Sequence, residues 1–271
     1  MKVRRYPHHH HKPLYETTLS HYLFSIAIAI SLTIGFAALL VHFVHPHNAF
    51  DISRISFGDI LRGTLNTFYR MALAFILSLI VSVPFALFMA STPRRLRILL
   101  PIADILQSVP VLAFFSIVAA FFVAKNAFEL AAVFVIFIQM VWNIVFPVVG
   151  GLQTIPDDVK SAAFVFNVHG WRKLWYITLP ALVPFIVTGS LLAWAQGWTI
   201  VIVAEVLHSY LPNGNASQDL LGLGSLLVDS NAQGKNGVFL AALAAMILLV
   251  TLLNLAVWQP LLHFSQRFRF D

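Results

Sequence analysis

The sequence predicts an all-α, polytopic membrane protein with six transmembrane helices. Of its 271 residues, 59% are hydrophobic and only 10% are charged, whereas a soluble domain carries roughly 25% charged residues. A helix needs about 20 apolar residues to cross a bilayer. The chain has six apolar runs of that kind, at about 22–44, 64–90, 98–124, 129–152, 181–207 and 238–263.

The basic residues predict the orientation of these spans, because Lys and Arg are enriched in cytoplasmic loops. If both termini are cytoplasmic, the cytoplasmic segments hold 12 of the 17 Lys and Arg residues: Lys2, Arg4, Arg5, Lys12, Arg94, Arg95, Arg97, Lys160, Arg172, Lys173, Arg267 and Arg269. The net charge of +6 is then explained by topology, and no nucleic-acid partner is expected. We expect a cytoplasmic tail at 1–21, a transmembrane domain at 22–264 and a second tail at 265–271.

The first apolar run follows a basic segment and has no small-residue cleavage site, so we interpret it as a retained helix and not a removed signal peptide. The run His8–His11 is a metal-binding tract, a tag remnant or a tail without a role, and we favour the last. There is no cysteine, which excludes disulfides and thiolate metal sites.

Prolines and polar segments indicate where the predicted spans end or bend. Residues 91–95, STPRR, end the second span, because proline does not continue a helix. Pro110 is expected inside the third span, where it removes a backbone donor and kinks the helix. Residues 208–236 are rich in Gly, Asn, Ser and Asp, which predicts a loop. Its part at 211–224 is either a plain flexible loop or a partial turn back into the membrane edge.

The polar stretch 154–180, TIPDDVKSAAFVFNVHGWRKLWYITLP, is expected in the cytoplasm as helix, sharp turn, helix. Thr154 and Asp157 have capping-box spacing. Val159, Ala162, Ala163 and Phe166 follow at the spacing of one helical face. Asn167 stands where a left-handed residue would end the first helix. A second helix is expected after Gly170 and before Pro180.

The residues of this stretch leave two interpretations open. Its apolar stripe either packs on the protein's own helix ends and the lipid headgroups, or it docks on a partner protein. Pattern alone does not separate these.

The stretch resembles the cytoplasmic loop signature of ATP-binding-cassette (ABC) importer permeases. Ala162, Ala163, Ile177, Leu179 and Pro180 match that signature, whereas Ser161 replaces its usual Glu and Asn167 its usual Gly. Further segments at 107–115, 141–159, 201–207 and 222–228 are similar to the nitrate, sulfonate and taurine branch of the family. The closing residues VWQPLLHFSQRFRF resemble the ends of proteins that fuse two permease halves.

The resemblance implies a type I ABC permease (MetI-like) fold in the inner (plasma) membrane of a prokaryote. It implies two ABC ATPase subunits, a second permease subunit of the same or another kind, and an extracytoplasmic solute-binding protein. The chain itself is expected to have no catalytic residue and no cofactor, since ATP and Mg would be bound by the partner ATPases. The implied ATPase-coupling residues are Asp158, Ser161, Ala162, Ala163, Phe164, Phe166, Asn167, His169, Gly170, Trp171, Leu179 and Pro180.

Polar and aromatic residues inside the spans are candidates for a substrate pathway, because burying polar groups in lipid is costly. These candidates are Arg70, Gln139, Asn143, Trp194, Gln196, Trp198 and Glu205. The alternative is that the amides satisfy bonds between helices, and for the two tryptophans packing or a position in the subunit interface is favoured. His208 is expected to be an exposed residue at the start of a loop and not a metal ligand.

Two other classes of protein fit the sequence less well than the permease. An ion-coupled secondary transporter would be expected to show several buried carboxylates and repeated halves with broken helices, whereas the spans offer Glu205 and Asp104. A membrane-embedded enzyme would need a cluster of His, Asp and Glu at the membrane surface, and the histidines are scattered. The resemblance thus implies the function of a permease subunit of an importer for a small anionic solute of the nitrate, sulfonate, taurine or bicarbonate kind.

Overall fold

Long helices form the protein, as the composition predicts. A computed structural model describes residues 56–211 and 219–268, so the predicted first span and the predicted tail at 1–21 lie outside the described residues. The described helices, labelled here in chain order, are α1 (Phe57–Ala90), α2 (Pro93–Ser108), α3 (Val111–Val123), α4 (Phe128–Gln153), α5 (Asp157–Val165), α6 (Gly170–Glu205), α7 (Leu223–Ala232) and α8 (Asn236–Gln266). In these residues α1, α4, α6 and α8 are long and apolar enough to cross a membrane, and α2 with α3 gives a fifth span if the bent pair counts as one.

Contacts between helices define their directions. Arg70 of α1 bonds Glu129 of α4, and twelve residues further along both helices Ser82 bonds the carbonyl of Val141, so α1 and α4 are parallel. Helix α6 is antiparallel to them, because Glu205 near its end meets Arg70 near the beginning of α1. Since α1 and α4 run the same way, α2 and α3 together return the chain across the bundle.

Basic residues gather at one end of this bundle, which we call the basic end. It is the end where α1, α4 and α8 finish and where α2 and α6 begin. Seven of the eleven Lys and Arg residues in the described ranges lie there: Arg94, Arg95, Arg97, Lys160, Arg172, Lys173 and Arg267. The asymmetry agrees with the charge count made on the sequence.

The third predicted span is not the continuous kinked helix that Pro110 was expected to produce. Helix α2 ends at Ser108, Val109 is extended, and α3 begins after Pro110 at an angle of 80° to α2. Proline disfavours helical backbone in the residue before it and removes the next backbone donor. Helix α2 therefore ends here, and a separate helix follows.

The expected end of the second helix before Pro180 is also wrong. Helix α6 runs from Gly170 to Glu205 through a π-turn at Leu174–Thr178. In that turn the N–H of Leu179 bonds the carbonyl of Leu174, one residue further back than in an α-helix. The helix therefore continues through Pro180, although this residue has no N–H to donate. The same arrangement recurs in α8, where a π-turn at Asn254–Trp258 precedes Pro260.

Three further expectations differ from the structure. Helix α1 begins at Phe57 and not near residue 64, because the Ser56 hydroxyl caps it by accepting from the N–H of Asp59. Thr154 forms no capping box; it closes α4 by donating to the carbonyl of Gly151, and Pro156 stands at the start of α5 without a side-chain cap. The predicted loop at 208–236 contains the ten-residue helix α7, whose Leu223 and Leu227 are buried one turn apart.

Close approach of α4 and α6 builds the centre of the bundle. A Cβ on Gly189 would stand 2.9 Å from the carbonyl oxygen of Asn143, and one on Gly197 would overlap the methyl of Met140. Small residues of this kind let membrane helices pack backbone against side chain. The two helices are thereby held at the spacing that places their polar side chains next to each other.

Candidate functional site

The predicted coupling residues lie on α5, on the turn that follows it and on the first part of α6, at the basic end. The sharp turn between the helices is confirmed, because Asn167 is left-handed with φ +54° and the N–H of Val168 bonds the carbonyl of Ala163 at 2.8 Å. Gly170 is also left-handed, with φ +56°. Asn and Gly are the residues that adopt this conformation at least cost.

Helix α5 leaves an apolar patch exposed. Phe164 is 76% exposed and Phe166 78% exposed, with Val165 between them, whereas Ala163 is buried. Of the predicted apolar stripe, only Ala163 is buried by the described part of the chain, and Val159 is half-buried. Exposed apolar patches of this kind mark interaction surfaces.

The polar residues of α5 are partly engaged. Lys160 bonds the carboxylate of Asp157 at 2.9 Å. Asp158 and Ser161, one turn apart, are both exposed. Beyond the turn, Phe164 packs edge-on to His169 with ring centres 6.2 Å apart, and Trp171 packs on Trp175 at 5.8 Å.

A second predicted group, Arg70 and Glu205, forms a buried ion pair inside the bundle. Nη1 of Arg70 donates to Oε1 of Glu205 at 2.8 Å, and Arg70 is 1% exposed. Nε and Nη2 of Arg70 donate to the two carboxylate oxygens of Glu129 at 2.6 and 2.7 Å. Arg70 therefore ties α1 to the first turn of α4 and the last turn of α6.

Sequence reasoning missed Glu129 and Thr67 as members of this network. The Thr67 hydroxyl donates to Glu205 at 2.7 Å and accepts from the N–H of Leu223 at 2.8 Å. A signal for Glu129 was present, since a carboxylate at the edge of an apolar span predicts a cationic partner. Thr67 lacked such a signal, because a hydroxyl in a membrane helix usually bonds its own backbone.

Helix α7 begins on the carboxylate of Glu205. The N–H of Gly224 donates to Oε2 of Glu205 at 2.7 Å, and a Cβ on Gly222 would overlap the same carboxyl group. Asn66 and Arg70 both donate to the carbonyl of Leu221 at 3.1 Å. The segment before α7 is thus fastened to α1 and α6 by polar groups.

The two predicted tryptophans lie in the core. Trp194 packs against Phe75, Trp258 and Trp198, with ring centres 5.5 to 6.4 Å apart. The indole N–H groups of Trp194 and Trp198 are buried and have no hydrogen-bond partner among the described residues. Both indole rings therefore pack among other side chains of this chain.

The three predicted amides lie together, away from the ion pair. Gln139 and Asn143 of α4 face Gln196 of α6, and Nε2 of Gln139 is 3.4 Å from Oε1 of Gln196. They line a cavity of about 210 Å³ that also touches the bend between α2 and α3, including Gln107 and Val109. We call this space the amide cavity.

His208 is half-buried and paired with Asp219, and not simply exposed. Its Nδ1 lies 2.6 Å from Oδ2 of Asp219, and Oδ1 of the same carboxylate accepts the backbone N–H of His208 at 3.0 Å. In the described residues, no group of three or more His, Asp or Glu side chains could hold a metal ion. The pair joins the end of α6 to the chain before α7.

Comparison with known proteins gives the class. Residues 82–268 match the family described as binding-protein-dependent transport system inner membrane component. The chain is 29% identical over 188 residues to the nitrate import permease protein NrtB of Leptolyngbya laminosa, which is 69% of this chain and 63% of that protein. It is 28% identical over 170 residues to the bicarbonate transport system permease protein CmpB of Synechococcus elongatus, 63% of this chain and 57% of that protein.

A third relative is the taurine transport system permease protein TauC of Escherichia coli, 22% identical over 188 residues, which is 69% of this chain and 64% of that protein. The matched part of the chain spans less than two thirds of the length of each of these relatives. The family match covers more than half of the chain. The protein therefore belongs to the permease family of ABC importers, in the branch of the nitrate, bicarbonate and taurine permeases, and is a multi-pass protein of the plasma membrane.

Proposed function

We propose that this chain is the permease subunit of an ATP-driven importer that passes a small anionic solute from a binding protein into the cytoplasm. The observation that carries the proposal is the exposed apolar patch of α5 at the basic end of a membrane bundle of this family. A patch that the chain leaves uncovered in water needs a partner surface. The names of the relatives assign them nitrate, bicarbonate and taurine as solutes. These solutes share a negatively charged group of oxygen atoms.

The proposed topology has six spans with both termini in the cytoplasm. The described helices account for five crossings if the bent pair is one, and the apolar run at 22–44 supplies the sixth. The concentration of Lys and Arg at the basic end supports a cytoplasmic position for it. The tails at 1–21 and 265–271 and the membrane domain at 22–264 follow from this arrangement.

The coupling residues would act as a docking element for the ATPase. Phe164 and Phe166 are the proposed anchors, because aromatic side chains contribute most to such contacts. Beside these two anchors, the turn and the beginning of α6 are formed by His169, Gly170 and Trp171. Leu179 and Pro180 directly follow the π-turn of α6. With Ser161 in place of the family's Glu, Asp158 is the proposed acidic contact one turn earlier.

The proposed assembly has two permease subunits in the bilayer, two ATPase subunits on its cytoplasmic side and a soluble binding protein outside. ATP and Mg belong to the ATPases. Gln139, Asn143 and Gln196 are the proposed pathway residues of this chain. Arg70, Glu205, Trp194 and Trp198 are proposed to keep the pathway helices in position, because they pack against protein on every side that the structure describes.

The test replaces Phe166 with Asp in the complex of the chain with its ATPase and binding protein in proteoliposomes. Uptake of nitrate, bicarbonate or taurine and ATP hydrolysis are measured together. Phe166→Asp should uncouple them, because a carboxylate placed in an apolar contact breaks it. The matched control is Phe57→Asp, since Phe57 is 76% exposed at the opposite end of the bundle.

Both variants should reach the membrane in wild-type amounts, and only Phe166→Asp should lose ATP-dependent uptake. Normal uptake by Phe166→Asp would exclude the docking role. Uptake that persists without ATP and follows an ion gradient would favour a secondary transporter instead.

A further inference from the structure

The amide cavity lies about halfway through the membrane part of the bundle. Gln139 is 11 residues from the beginning of α4 and 14 from its end, which at 1.5 Å per residue places it roughly 16 and 21 Å from the two ends. The cavity adjoins the break at Val109 and Pro110. In many transporters the solute binds near the midplane of the bilayer, at a broken helix.

Four of the residues that line the cavity carry carboxamides with unused hydrogen-bonding groups, among apolar side chains. They are Gln107, Gln139, Asn143 and Gln196. Each carboxamide has two N–H donors and a carbonyl acceptor. Those of Gln139 and Gln196 share one long bond of 3.4 Å, and the Asn143 carboxamide donates once to the backbone carbonyl of Gln139 at 2.9 Å. Because polar groups facing hydrocarbon are costly, such a lining indicates a polar content.

None of the described side chains that line the amide cavity is ionisable. The one buried Arg or Lys of the described residues is Arg70, and its guanidinium is already engaged. Four of its N–H groups donate to Glu129, Glu205 and the carbonyl of Leu221. Since a guanidinium has five N–H donors, Arg70 has little left with which to receive an anion.

We infer that the solute crosses the middle of the membrane on carboxamide hydrogen bonds in the amide cavity, without a fixed positive charge from the residues that the structure describes. The inference rests on the proposed function and adds the chemistry by which the proposed pathway residues recognise the solute. The physical reason is release: in a medium of low dielectric constant a fixed cation attracts an anion strongly, and conduction requires a site from which the solute can leave. A neutral lining satisfies the oxygens of the solute and still lets it go.

The experiment scans the charge of one position in the assembled complex. Gln139 is replaced by Glu, Lys and Leu, and uptake of nitrate, bicarbonate and taurine is measured in proteoliposomes with the binding protein and ATP. Gln139→Glu should lower the maximal rate for the transported anion by about tenfold or more, through charge repulsion at short range. Gln139→Lys should lower both the half-saturating concentration and the maximal rate, because the anion is held, and Gln139→Leu should lower the rate without that gain in affinity.

Gln259→Glu is the matched control, since Gln259 is an amide on α8 outside the cavity, bonded to Asn254 at 3.4 Å. It should transport like wild type, and all variants should show wild-type amounts and thermal unfolding in detergent. If Gln139→Glu and Gln139→Lys both transport like wild type, the inference is overturned while the proposed function stands. If the two charges lower the maximal rate equally and Gln139→Lys leaves the half-saturating concentration unchanged, the role is structural and the inference fails too. If wild type shows no ATP-dependent uptake of any of the three probes, the proposed function fails first.

Discussion

Arg70 and Glu205 lie 135 residues apart in the chain and form an ion pair with 2.8 Å between Nη1 and Oε1, both side chains being almost wholly buried. Charges of this kind are costly to bury and remain only when each is paired and bonded. Here the pair joins α1 to α6, and the Glu205 carboxylate also holds the beginning of α7. Three elements of the bundle therefore depend on one pair of charges.

Removing one partner of this pair should destabilise the protein strongly. Arg70→Met leaves Glu205 buried and unpaired, and we expect a loss of about 3–5 kcal/mol in the free energy of unfolding. The measurement is equilibrium denaturation of the purified protein in detergent. Lys160→Met, which breaks the exposed pair with Asp157, should leave the unfolding curve unchanged within error.

The double variant Arg70→Met with Glu205→Met separates the loss of a bond from the cost of a stranded charge. It should recover a large part of the stability lost by Arg70→Met alone, because no unpaired carboxylate remains buried. A double variant that is less stable than either single variant would contradict this explanation.

The Glu205 carboxyl group leaves no room for a side chain at position 222, so Gly222 is needed there. Because a Cβ there would overlap that group, Gly222→Ala should force Glu205 or α7 to shift and cost about 1–3 kcal/mol of unfolding free energy. A Cβ on Gly150 of α4, by contrast, would meet no other heavy atom of the described residues within 4 Å. Gly150→Ala should be neutral or stabilise the helix by up to about 1 kcal/mol, so equal effects at the two positions in equilibrium denaturation would count against the close contact.

Asn167 should tolerate glycine and reject a β-branched residue. Its φ of +54° lies in the region where a side chain costs roughly 1–2 kcal/mol and glycine costs least. Asn167→Gly is therefore expected to retain ATP-coupled uptake, whereas Asn167→Val should lower it by disturbing the turn between α5 and α6. Uptake and ATP hydrolysis in proteoliposomes measure this, and equal coupling in both variants would show that the turn is not needed.

Asp229 on α7 makes stability depend on pH. Partial burial, followed by the nearby negative charge of Asp219, raises the pKa of the Asp229 carboxyl, although the positive charge of His208 acts the other way. A carboxyl whose pKa is higher in the folded than in the unfolded state favours folding when protonated, and this contribution is lost as the pH rises through its titration range.

Asp229→Asn should therefore raise the melting temperature at pH 7, and the gain should disappear below about pH 4, where the unfolded carboxyl is also protonated. Asp59→Asn provides a comparison from the same crevice, which Asp59 and Asp229 both line. A gain for Asp229→Asn that is the same at both pH values would show that titration is not its cause.

Much of this protein follows from local patterns in its sequence. Apolar runs of sufficient length predict the membrane helices, because a bilayer leaves few other structures for such a segment. The asymmetry of Lys and Arg predicts the basic end, and Asn167 predicts the sharp turn after α5. These features depend on residues close together in the chain, so a pattern is enough to find them.

Other features depend on contacts between distant residues. The sequence could not show that Arg70 and Glu129 meet, that Gly222 makes room for Glu205, or that Gln139 faces Gln196, because each requires the packing of α1, α4 and α6. The effect of proline also depended on its surroundings. The helix ends before Pro110, whereas a π-turn lets α6 continue through Pro180. The sequence by itself determined the class of protein and the positions of most of its apolar helices. Only the tertiary structure decided which polar side chains are held in ion pairs and which line a cavity, since burial and pairing are properties of the packed bundle.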